Sequence, residues 1–381
     1  MKNYDVLIVG GGIIGGSIAY ELAQRSLRVA VLDRQELMRE ASWAAAGMLS
    51  PAPDSPAAIP LVPLGRGSLA LYPSFIEAIE EASGRRTGFR TGGAIEVLCH
   101  GDPERELSTL VALYRGLGLS CEPIPLAEVR AMEPPLGRNA RAAALLPEEC
   151  SVEPRALSSA LLVAAASAGV TLSPVVNVIS LALEGKKCVG VVTSRGEILH
   201  TPHVVLAAGC WSSQIPEAAP YAPALPVRGQ MLALRHFGTP ISHVLRSERG
   251  YIVPRNFDSP QTLVVGSTLE NAGYEKRVTA GGMEKILSAV SELVPELSQA
   301  ELIDTWSGLR PGTPDQLPIL GEAGIEGLVF ATGHYRSGIL LAPITAKLVG
   351  EWITERRTSL DWEAFSPLRF LRRNADRSAA V

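Results

Sequence analysis

A glycine-rich turn between a short apolar strand and a helix is the feature that most restricts the fold of this chain. The apolar run at 5–9 is typical of a parallel strand that is buried on both faces. Gly10, Gly12 and Gly15 follow it in the pattern G-x-G-x-x-G. The first glycine of this pattern permits a tight turn, the second lets the backbone approach a pyrophosphate, and the third lets the helix pack closely on the strand.

The residues after the turn complete a strand, helix and strand unit. Ile14, Ile18 and Leu22 recur at helical spacing, and a second strand predicted over 28–32 ends at Asp33. A carboxylate at about 20 residues beyond the glycines accepts hydrogen bonds from a ribose diol, while the helix N-terminus faces phosphates with free N–H groups. The unit predicts dinucleotide binding without choosing between NAD and FAD. The alternative is a glycine-rich turn in an ordinary α/β domain.

Length and composition restrict the class of protein. A chain of 381 residues exceeds the size at which single cores stop growing, so we expect two domains or one elaborated domain. The net charge is −4 and the cations are scattered, which argues against nucleic-acid binding. We expect no integral membrane segment and no signal peptide. The five widely spaced cysteines are typical of reduced thiols in a cytoplasmic protein, and the six histidines show no metal-binding spacing, so no metal is expected.

The segment after the second strand is predicted to approach the ligand. Small residues at 41–50 favour a helix capped by Ser42 that leaves room for a bulky planar group, or else a tightly packed helix. The proline-rich stretch 51–63 is predicted to be a surface crossing or a lid.

The middle of the chain is predicted to add a helix and a meander. The helix covers 153–168, and the three strands of the meander lie at 170–172, 175–183 and 188–194. A buried strand at 203–208 then ends at Gly209, where backbone could lie against a ligand.

The C-terminal part is predicted to be β-rich before it repeats the opening pattern. Candidate antiparallel strands begin at 226, and the Gly- and Pro-rich stretch 305–321 is predicted to be a rigid loop that carries Arg310. A strand at 328–331 and the turn GHYRSG precede a helix that runs to 352. A second helix N-terminus is therefore aimed at a ligand.

Six motifs spread over almost the whole chain resemble those of one enzyme superfamily. They are, in collinear order, VLIVGGGIIGGSIAYELA near the start, AAAGML at 44–49, VVLAAGCWS at 204–212, YIVPR at 251–255, GLRPGTPDQLPILG at 308–321 and ATGHYRSGILLAP at 331–343. The sequence resembles the FAD-dependent amine and D-amino-acid oxidase superfamily, and within it the bacterial glycine oxidases. The last two motifs are the most specific.

The resemblance implies a fold and a division of the chain. The fold class is α/β (α+β overall), with a Rossmann-type FAD-binding domain of the glutathione-reductase-like kind and an inserted, mostly antiparallel β-sheet substrate domain. The FAD-binding domain is expected to be discontinuous, at 1–84, 140–222 and 304–381. The substrate-binding domain is expected at 85–139 and 223–303.

The resemblance also implies FAD as the cofactor. Its contacts are expected from Gly10, Gly12, Ile13, Ile14, Gly15, Asp33, Arg34, Ser42, Ala46, Gly47, Met48, Val178, Gly209, Tyr335, Arg336, Ser337, Gly338, Ile339, Leu340 and Leu341. The family more often has glutamate where Asp33 stands, and the shorter side chain alters ribose contact without changing the cofactor. Some relatives attach flavin through an N-terminal His or a C-terminal Cys. No His precedes His100 and no Cys follows Cys210, so non-covalent FAD is expected.

Substrate binding is expected to depend on arginine. A planar guanidinium grips a carboxylate bidentately, and Arg310 matches the family's carboxylate-binding position. Tyr251 is expected to add a phenol hydrogen bond, Arg336 lies where the family places a second substrate contact, and Arg249 is expected at the pocket rim. The alternatives are a loop-bracing ion pair for Arg310, a core position for Tyr251, and a flavin-bracing role for Arg336.

The reaction implied is transfer of hydride from Cα of a small amine to FAD, with oxygen as the final acceptor and hydrogen peroxide as a product. The cofactor carries the redox chemistry, so no side chain is nominated as acid or base. Glycine, sarcosine and small D-amino acids are the expected substrates, supply of thiamine thiazole synthesis is a further expectation, and a homo-oligomer, as in tetrameric relatives, is expected by analogy. The alternatives are a dehydrogenase that passes electrons to a quinone or partner subunit, and a flavoprotein module without enzyme activity.

Overall fold

The computed structural model describes residues 3–256 and 259–371. Its α-helices in this part of the chain are α1 (Ile13–Gln24), α2 (Ala41–Ala44), α3 (Val62–Ser83), α4 (Pro103–Gly116), α5 (Leu126–Met132), α6 (Pro154–Ser167), α7 (Ala280–Leu293) and α8 (Gly338–Glu355). Within those same residues, no helix combines the length and the apolar character that a bilayer crossing requires.

The strands form two large sheets and two small ones. They are β1 (Val6–Val9), β2 (Val29–Leu32), β3 (Met48–Leu49), β4 (Ala94–Leu98), β5 (Glu122–Pro123), β6 (Ala142–Leu146), β7 (Cys150–Ser151), β8 (Thr171–Ser173), β9 (Val178–Glu184), β10 (Lys187–Thr193), β11 (Ile198–His200), β12 (His203–Leu206), β13 (Leu225–His236), β14 (Val244–Arg246), β15 (Tyr251–Pro254), β16 (Gln261–Gly266), β17 (Glu301–Gly312), β18 (Ile319–Glu322) and β19 (Leu328–Thr332).

The first large sheet has six strands in the order β18-β19-β12-β1-β2-β8, and all its neighbours are parallel except β18 and β19. Strand β1 lies inside it and is completely buried. Val6 and Ile8 point to one face, where helices α1, α3, α6 and α8 pack. Leu7 and Val9 point to the other face, towards the small sheet of β9, β10 and β11. This two-sided burial explains the unbroken apolar run that predicts a parallel strand.

The second large sheet has eight strands in the order β17-β13-β16-β15-β14-β4-β6-β5, and only β14 and β4 pair in parallel. One face packs against α7, with Ile286 and Val290 in contact with this core. The opposite face carries Tyr251 and Trp306 and packs against α2 and the start of α3. The predicted combination of a parallel cofactor-binding sheet with a mostly antiparallel second sheet is therefore confirmed.

Several local expectations differ from the structure. The stretch predicted as a rigid loop begins inside β17, whose residues from Glu301 to Gly312 pair with β13. Pro311 fits this strand because β17 is at the edge of the sheet, where one side needs no hydrogen-bond donor. The third strand of the meander is β11, because 171–173 pairs with β2 in the parallel sheet instead.

Two strands pair in a different sheet from the one that the expected domain boundaries would assign to them. Strand β6 lies within 140–222 but pairs with β4 in the eight-stranded sheet. Strand β17 likewise lies almost wholly within 304–381 but pairs with β13. The expected last segment also extends over 372–381, which lies outside the described residues. In both strands the partner is far away along the chain, so the local pattern contains no sign of it.

The helix α1 can reach β1 only because Gly15 has no side chain. A Cβ built at Gly15 would lie 1.9 Å from the carbonyl oxygen of Gly10. This contact involves backbone, which cannot rotate away as a flexible side chain can. Gly15 therefore acts as the third glycine of the motif, as predicted from its spacing.

Replacing Gly15 by alanine should push α1 away from β1. We expect Gly15→Ala to lower the free energy of unfolding by at least about 2 kcal/mol, because the clash is with backbone in a packed interior. The matched control is Gly281→Ala in the first turn of α7, where an added Cβ meets nothing within 4 Å. Thermal unfolding measures both variants, and equal midpoints would contradict the packing argument.

Candidate active site

A cavity of about 390 Å³ lies where the carboxyl ends of the parallel strands meet the inner face of the eight-stranded sheet. The first turns of α1 and α8 and parts of α2, β13 and β17 complete its wall. The carboxyl ends of parallel strands are where ligands bind in sheets of this kind. The cavity therefore lies where the sequence predicts the ligand.

The N-terminus of α1 opens into this cavity. Gly10 has a φ of +105°, and a Cβ there would lie 2.4 Å from the carbonyl oxygen of Ala207. Gly12 occupies the N-cap without a capping side chain, so the helix presents N–H groups of its first turn to the cavity. Backbone donors and the positive end of the helix dipole suit a pyrophosphate.

Ser42 supports this turn from outside the helix. It lies within α2 rather than before it, so it does not cap its own helix as predicted. Its Oγ accepts a hydrogen bond of 2.8 Å from the backbone N–H of Ile13. Ser42 therefore caps α1, and α2 is held against the phosphate-binding turn. A contact across 29 residues leaves no trace in local sequence.

Asp33 stands at the carboxyl end of β2 and lines the same cavity. Its two oxygens accept hydrogen bonds from the backbone N–H groups of Gly11, at 2.7 Å, and Gln35, at 3.0 Å. Burial raises the pKa of Asp33, while these two hydrogen bonds oppose that shift. Each oxygen keeps a lone pair, so the carboxylate is oriented and still able to accept from a ribose diol.

The N-terminus of α8 is the second helix end at the cavity. Gly338 and Ile339 line it, and no side chain caps the first turn. Tyr335 before it has a left-handed φ of +48° and donates its backbone N–H to the carbonyl of Pro311 at 3.0 Å. Burial lowers the pKa of His334 to about 3, so the imidazole is neutral near pH 7. The positive end of the helix dipole therefore faces the cavity here, beside the guanidinium of Arg336.

Together these features fit FAD. Two helix N-termini whose N-cap residues contribute no capping side chain supply backbone donors, and an oriented carboxylate supplies acceptors, all in the wall of one cavity. Close approach of a ligand is possible because Gly10 and Gly12 carry no side chain. The residues present are thus those that a dinucleotide with a planar ring system requires.

Arg310 reaches the cavity from β17 and not from a loop. Its guanidinium lies over Gly229 of the neighbouring strand, where a Cβ would come within 2.2 Å of it. It donates to Ser267 Oγ at 2.8 Å and to the carbonyl of Thr268 at 3.1 Å. Burial lowers its pKa, and the described residues supply no ion pair to it. Arg310 is therefore an oriented cation without a carboxylate partner, which contradicts the loop-bracing alternative.

Tyr251 lines the same cavity and is 9% exposed. Its hydroxyl lies against Gly266, where a Cβ would come within 2.9 Å of the oxygen, and it donates to Met231 Sδ at 3.8 Å. Ser267 follows directly after Gly266 and holds Arg310, so the phenol and the guanidinium are fixed by adjacent residues. A contact to sulfur is weak, which leaves the hydroxyl free to donate to a ligand.

Most of the expected site residues line this cavity, and some do not. Those that line it are Gly10, Gly12, Ile13, Ile14, Asp33, Arg34, Ser42, Ala46, Gly47, Met48, Val178, Gly209, Tyr251, Arg310, Tyr335, Arg336, Gly338 and Ile339. A neighbouring cavity of about 20 Å³ is lined instead by Ser337, Leu340 and Leu341. Gly15 does not line the main cavity, because it packs against the backbone of Gly10.

Arg249 does not lie at the pocket rim. It is absent from the described residues that line the cavity, and its guanidinium pairs with Glu292 at 2.9 Å. Arg249 belongs to the turn between β14 and β15, so the strand that carries Tyr251 into the cavity does not include it. The residue that sequence reasoning missed is Ser267, since its contact with Arg310 spans 43 residues.

The chain matches an established family over most of its length. The sequence profile of the DAO family, FAD-dependent oxidoreductases, matches residues 5–352. The chain belongs to this family. FAD as the cofactor and the predicted class of enzyme, an FAD-dependent amino-acid oxidase, are thereby confirmed.

Individual members of the DAO family are similar to this chain over nearly all of it. Glycine oxidase of Geobacillus kaustophilus is 35% identical over 373 residues, covering 97% of this chain and 98% of the relative. The crystal structure of glycine oxidase from that organism superposes with a TM-score of 0.90 at 34% identity, covering 97% and 99% of the two chains.

Two further relatives carry different names. Bifunctional protein ThiO/ThiG of Synechocystis sp. is 36% identical over 374 residues, covering 96% of this chain, which spans 54% of that relative. Hydrogen cyanide synthase subunit HcnC of Pseudomonas aeruginosa is 30% identical over 409 residues, covering 97% of each chain.

Asp33→Asn should weaken FAD binding. The amide places a donor against one of the two backbone N–H groups that the carboxylate now satisfies, so we expect the dissociation constant for FAD to rise roughly 10-fold to 100-fold. Titration of the flavin-free protein with FAD, followed by flavin fluorescence, measures it. Asp361→Asn is the matched control, because Asp361 also accepts from the backbone N–H two residues on but lies on the surface. If both variants bind FAD with equal affinity, Asp33 does not contact the cofactor.

Proposed function

We propose that this protein catalyses the oxidative deamination of glycine and other small amines, including sarcosine and small D-amino acids. The products are the 2-oxo acid, ammonia or an amine, and hydrogen peroxide. The observation that carries the proposal is Arg310, an oriented guanidinium in the cavity wall without a carboxylate partner in the described residues. A buried cation of this kind suits the carboxylate of a small amino acid.

The chain's own residues would bind and orient the substrate. Arg310 would pair bidentately with the carboxylate, and Tyr251 would donate a hydrogen bond to it. Ser267 and Thr268 hold the guanidinium in place, so little side-chain entropy would be lost on binding. The first turns of α1 and α8 would hold FAD, which would supply the redox chemistry between Cα of the substrate and oxygen. We assign no side chain as acid or base. Hydride transfer from a neutral amine needs no side-chain base, and the cofactor carries the redox chemistry.

The cofactor site is part of the proposal at residue level. We propose that the first turns of α1 and α8, Asp33, and the segment from Ala46 to the start of β3 at Met48 hold FAD without a covalent bond. Two observations support it: these groups line one cavity, and the histidines and cysteines of the chain lie outside the positions at which relatives attach flavin. Denatured and filtered protein should release all its flavin into the filtrate.

The cellular setting follows from the same resemblance. We propose that the enzyme acts in the cytoplasm, since all five cysteines are unpaired thiols, and that it forms a homo-oligomer, a tetramer by analogy with related oxidases. The likeness to bifunctional ThiO/ThiG supports a role in supplying thiamine thiazole synthesis. Size-exclusion chromatography with light scattering tests the oligomeric state.

A second candidate function keeps the substrate and changes the electron acceptor. The likeness to hydrogen cyanide synthase subunit HcnC favours a dehydrogenase that passes electrons to a quinone or a partner subunit. The substrate site would be the same in both cases, so the two differ only in the reaction of the cofactor with oxygen.

Anaerobic mixing of the yellow protein with glycine should bleach the flavin absorbance. Admission of air should then restore the colour promptly and yield hydrogen peroxide, because an oxidase uses oxygen directly. Slow recovery in air, together with rapid recovery on addition of a quinone, would favour the dehydrogenase. The absence of bleaching with glycine, sarcosine and D-alanine would overturn the proposed substrates.

Arg310→Ala should raise the KM for glycine by roughly 100-fold or more, since it removes charge-assisted hydrogen bonds to the carboxylate in a buried site. The matched control is Arg249→Ala, which removes an arginine that pairs with Glu292 outside the cavity. Steady-state oxygen consumption measures both variants. If the KM of Arg310→Ala stays within threefold of the parent value, Arg310 does not bind the substrate.

A further inference from the structure

Arg336 shares the wall of the main cavity with Arg34 and Arg310, and its charge is already matched by a carboxylate. It lines the main cavity and also the neighbouring cavity of about 20 Å³. Asp54, which lines the smaller cavity, lies 3.3 Å from it, measured from Nη1 to Oδ1. Arg336 thus differs from Arg310, which donates to neutral groups, Ser267 Oγ and the carbonyl of Thr268.

Asp54 is held at this position by the proline-rich segment around it. The neighbouring Ser55 donates to Gln316 Oε1 at 2.9 Å, and the segment then enters a 3₁₀ helix at Pro56–Leu61. Pro51 packs against Gly65 of α3, where a Cβ would lie 3.3 Å from its Cα. The segment predicted as a surface crossing or a lid therefore also places a carboxylate beside the cavity wall.

The pair contributes little to stability. It is a single contact between side chains that are 37% and 45% exposed, and such exposed pairs are worth about 0–1 kcal/mol. A change at Asp54 should therefore leave the fold intact. Its effect on the cavity is larger, since the wall around Arg336 is neutral with Asp54 present and carries a charge of +1 without it.

We propose that Asp54 restricts the substrates of this enzyme to amines with a single carboxylate, by neutralising Arg336 and repelling a second carboxylate from it. This inference rests on the proposed function. Arg310 takes the one carboxylate that every substrate carries. A second carboxylate on the same molecule would meet Asp54 beside Arg336, where repulsion by the like charge offsets the attraction of the guanidinium.

The proposal predicts a gain of activity when the charge of Asp54 is removed. Asp54→Asn keeps the shape of the side chain and leaves Arg336 free to bind a second carboxylate. Two substrate pairs isolate that charge: iminodiacetate against its monoamide, and D-aspartate against D-asparagine. Oxidation of a dicarboxylate would follow the same stoichiometry as oxidation of glycine. Iminodiacetate, oxygen and water would yield glyoxylate, glycine and hydrogen peroxide. Initial rates exclude the later oxidation of product glycine.

The quantity measured is the ratio of kcat/KM for the dicarboxylate to kcat/KM for its amide. We expect Asp54→Asn to raise this ratio at least tenfold over the parent enzyme for one or both pairs. Asp54→Glu should keep the parent ratio, because it retains the charge. Glu322→Gln, which removes a carboxylate paired with Arg356 at the surface, should also keep it. Rising salt should reduce the gain, since the effect is electrostatic.

The outcomes separate this inference from the function on which it rests. A parent enzyme that oxidises glycine, with ratios that Asp54→Asn changes less than twofold for both pairs, overturns the role of Asp54 alone. A gain that persists in Asp54→Asn/Arg336→Gln also overturns it, because the freed arginine would then not be its cause. A parent enzyme that oxidises none of glycine, sarcosine and D-alanine overturns the proposed function, and this inference with it.

Discussion

The contact between Gly15 and the carbonyl of Gly10 is the constraint on which the rest of the structure depends. It sets how closely α1 packs on β1, and therefore where the first turn of the helix points. Ala207, directly after β12, also packs closely on this turn, since its carbonyl oxygen would lie 2.4 Å from a Cβ built at Gly10. The helix N-terminus, the ends of two strands and the phosphate-binding turn are thus positioned by backbone contacts that no side chain could enter.

The cavity distributes its charges unevenly, and the proposed function rests on this distribution. The part near the parallel strands contains helix ends and the carboxylate of Asp33, which suit a dinucleotide. The other part contains Arg310, which neutral groups orient and no described carboxylate neutralises. A buried cation without a partner is costly in a protein that binds no anion. The same cost makes the site favourable for the carboxylate of a small amino acid.

Much of the cofactor site was predictable because its determinants are local. Gly10, Gly12, Gly15 and Asp33 follow one another in a unit whose spacing alone predicts strand, turn, helix and strand. The substrate part was less predictable from the residues alone. The Gly- and Pro-rich stretch around Arg310 looks like a loop, and only its pairing with β13 makes it a strand. Arg249 was placed wrongly because its partner, Glu292, lies 43 residues away.

The parallel sheet, the two helix N-termini at the cavity and the arginine proposed to bind a carboxylate were all predictable from the sequence alone. These features depend on spacing and on residue type within short stretches, which the chain shows directly. Only the tertiary structure decided what surrounds each of them. It brought Ser42 to the first turn of α1, Ser267 to Arg310, and Asp54 to Arg336. Each of these contacts joins distant parts of the chain, and such contacts form only when the packed sheets and helices bring those parts together.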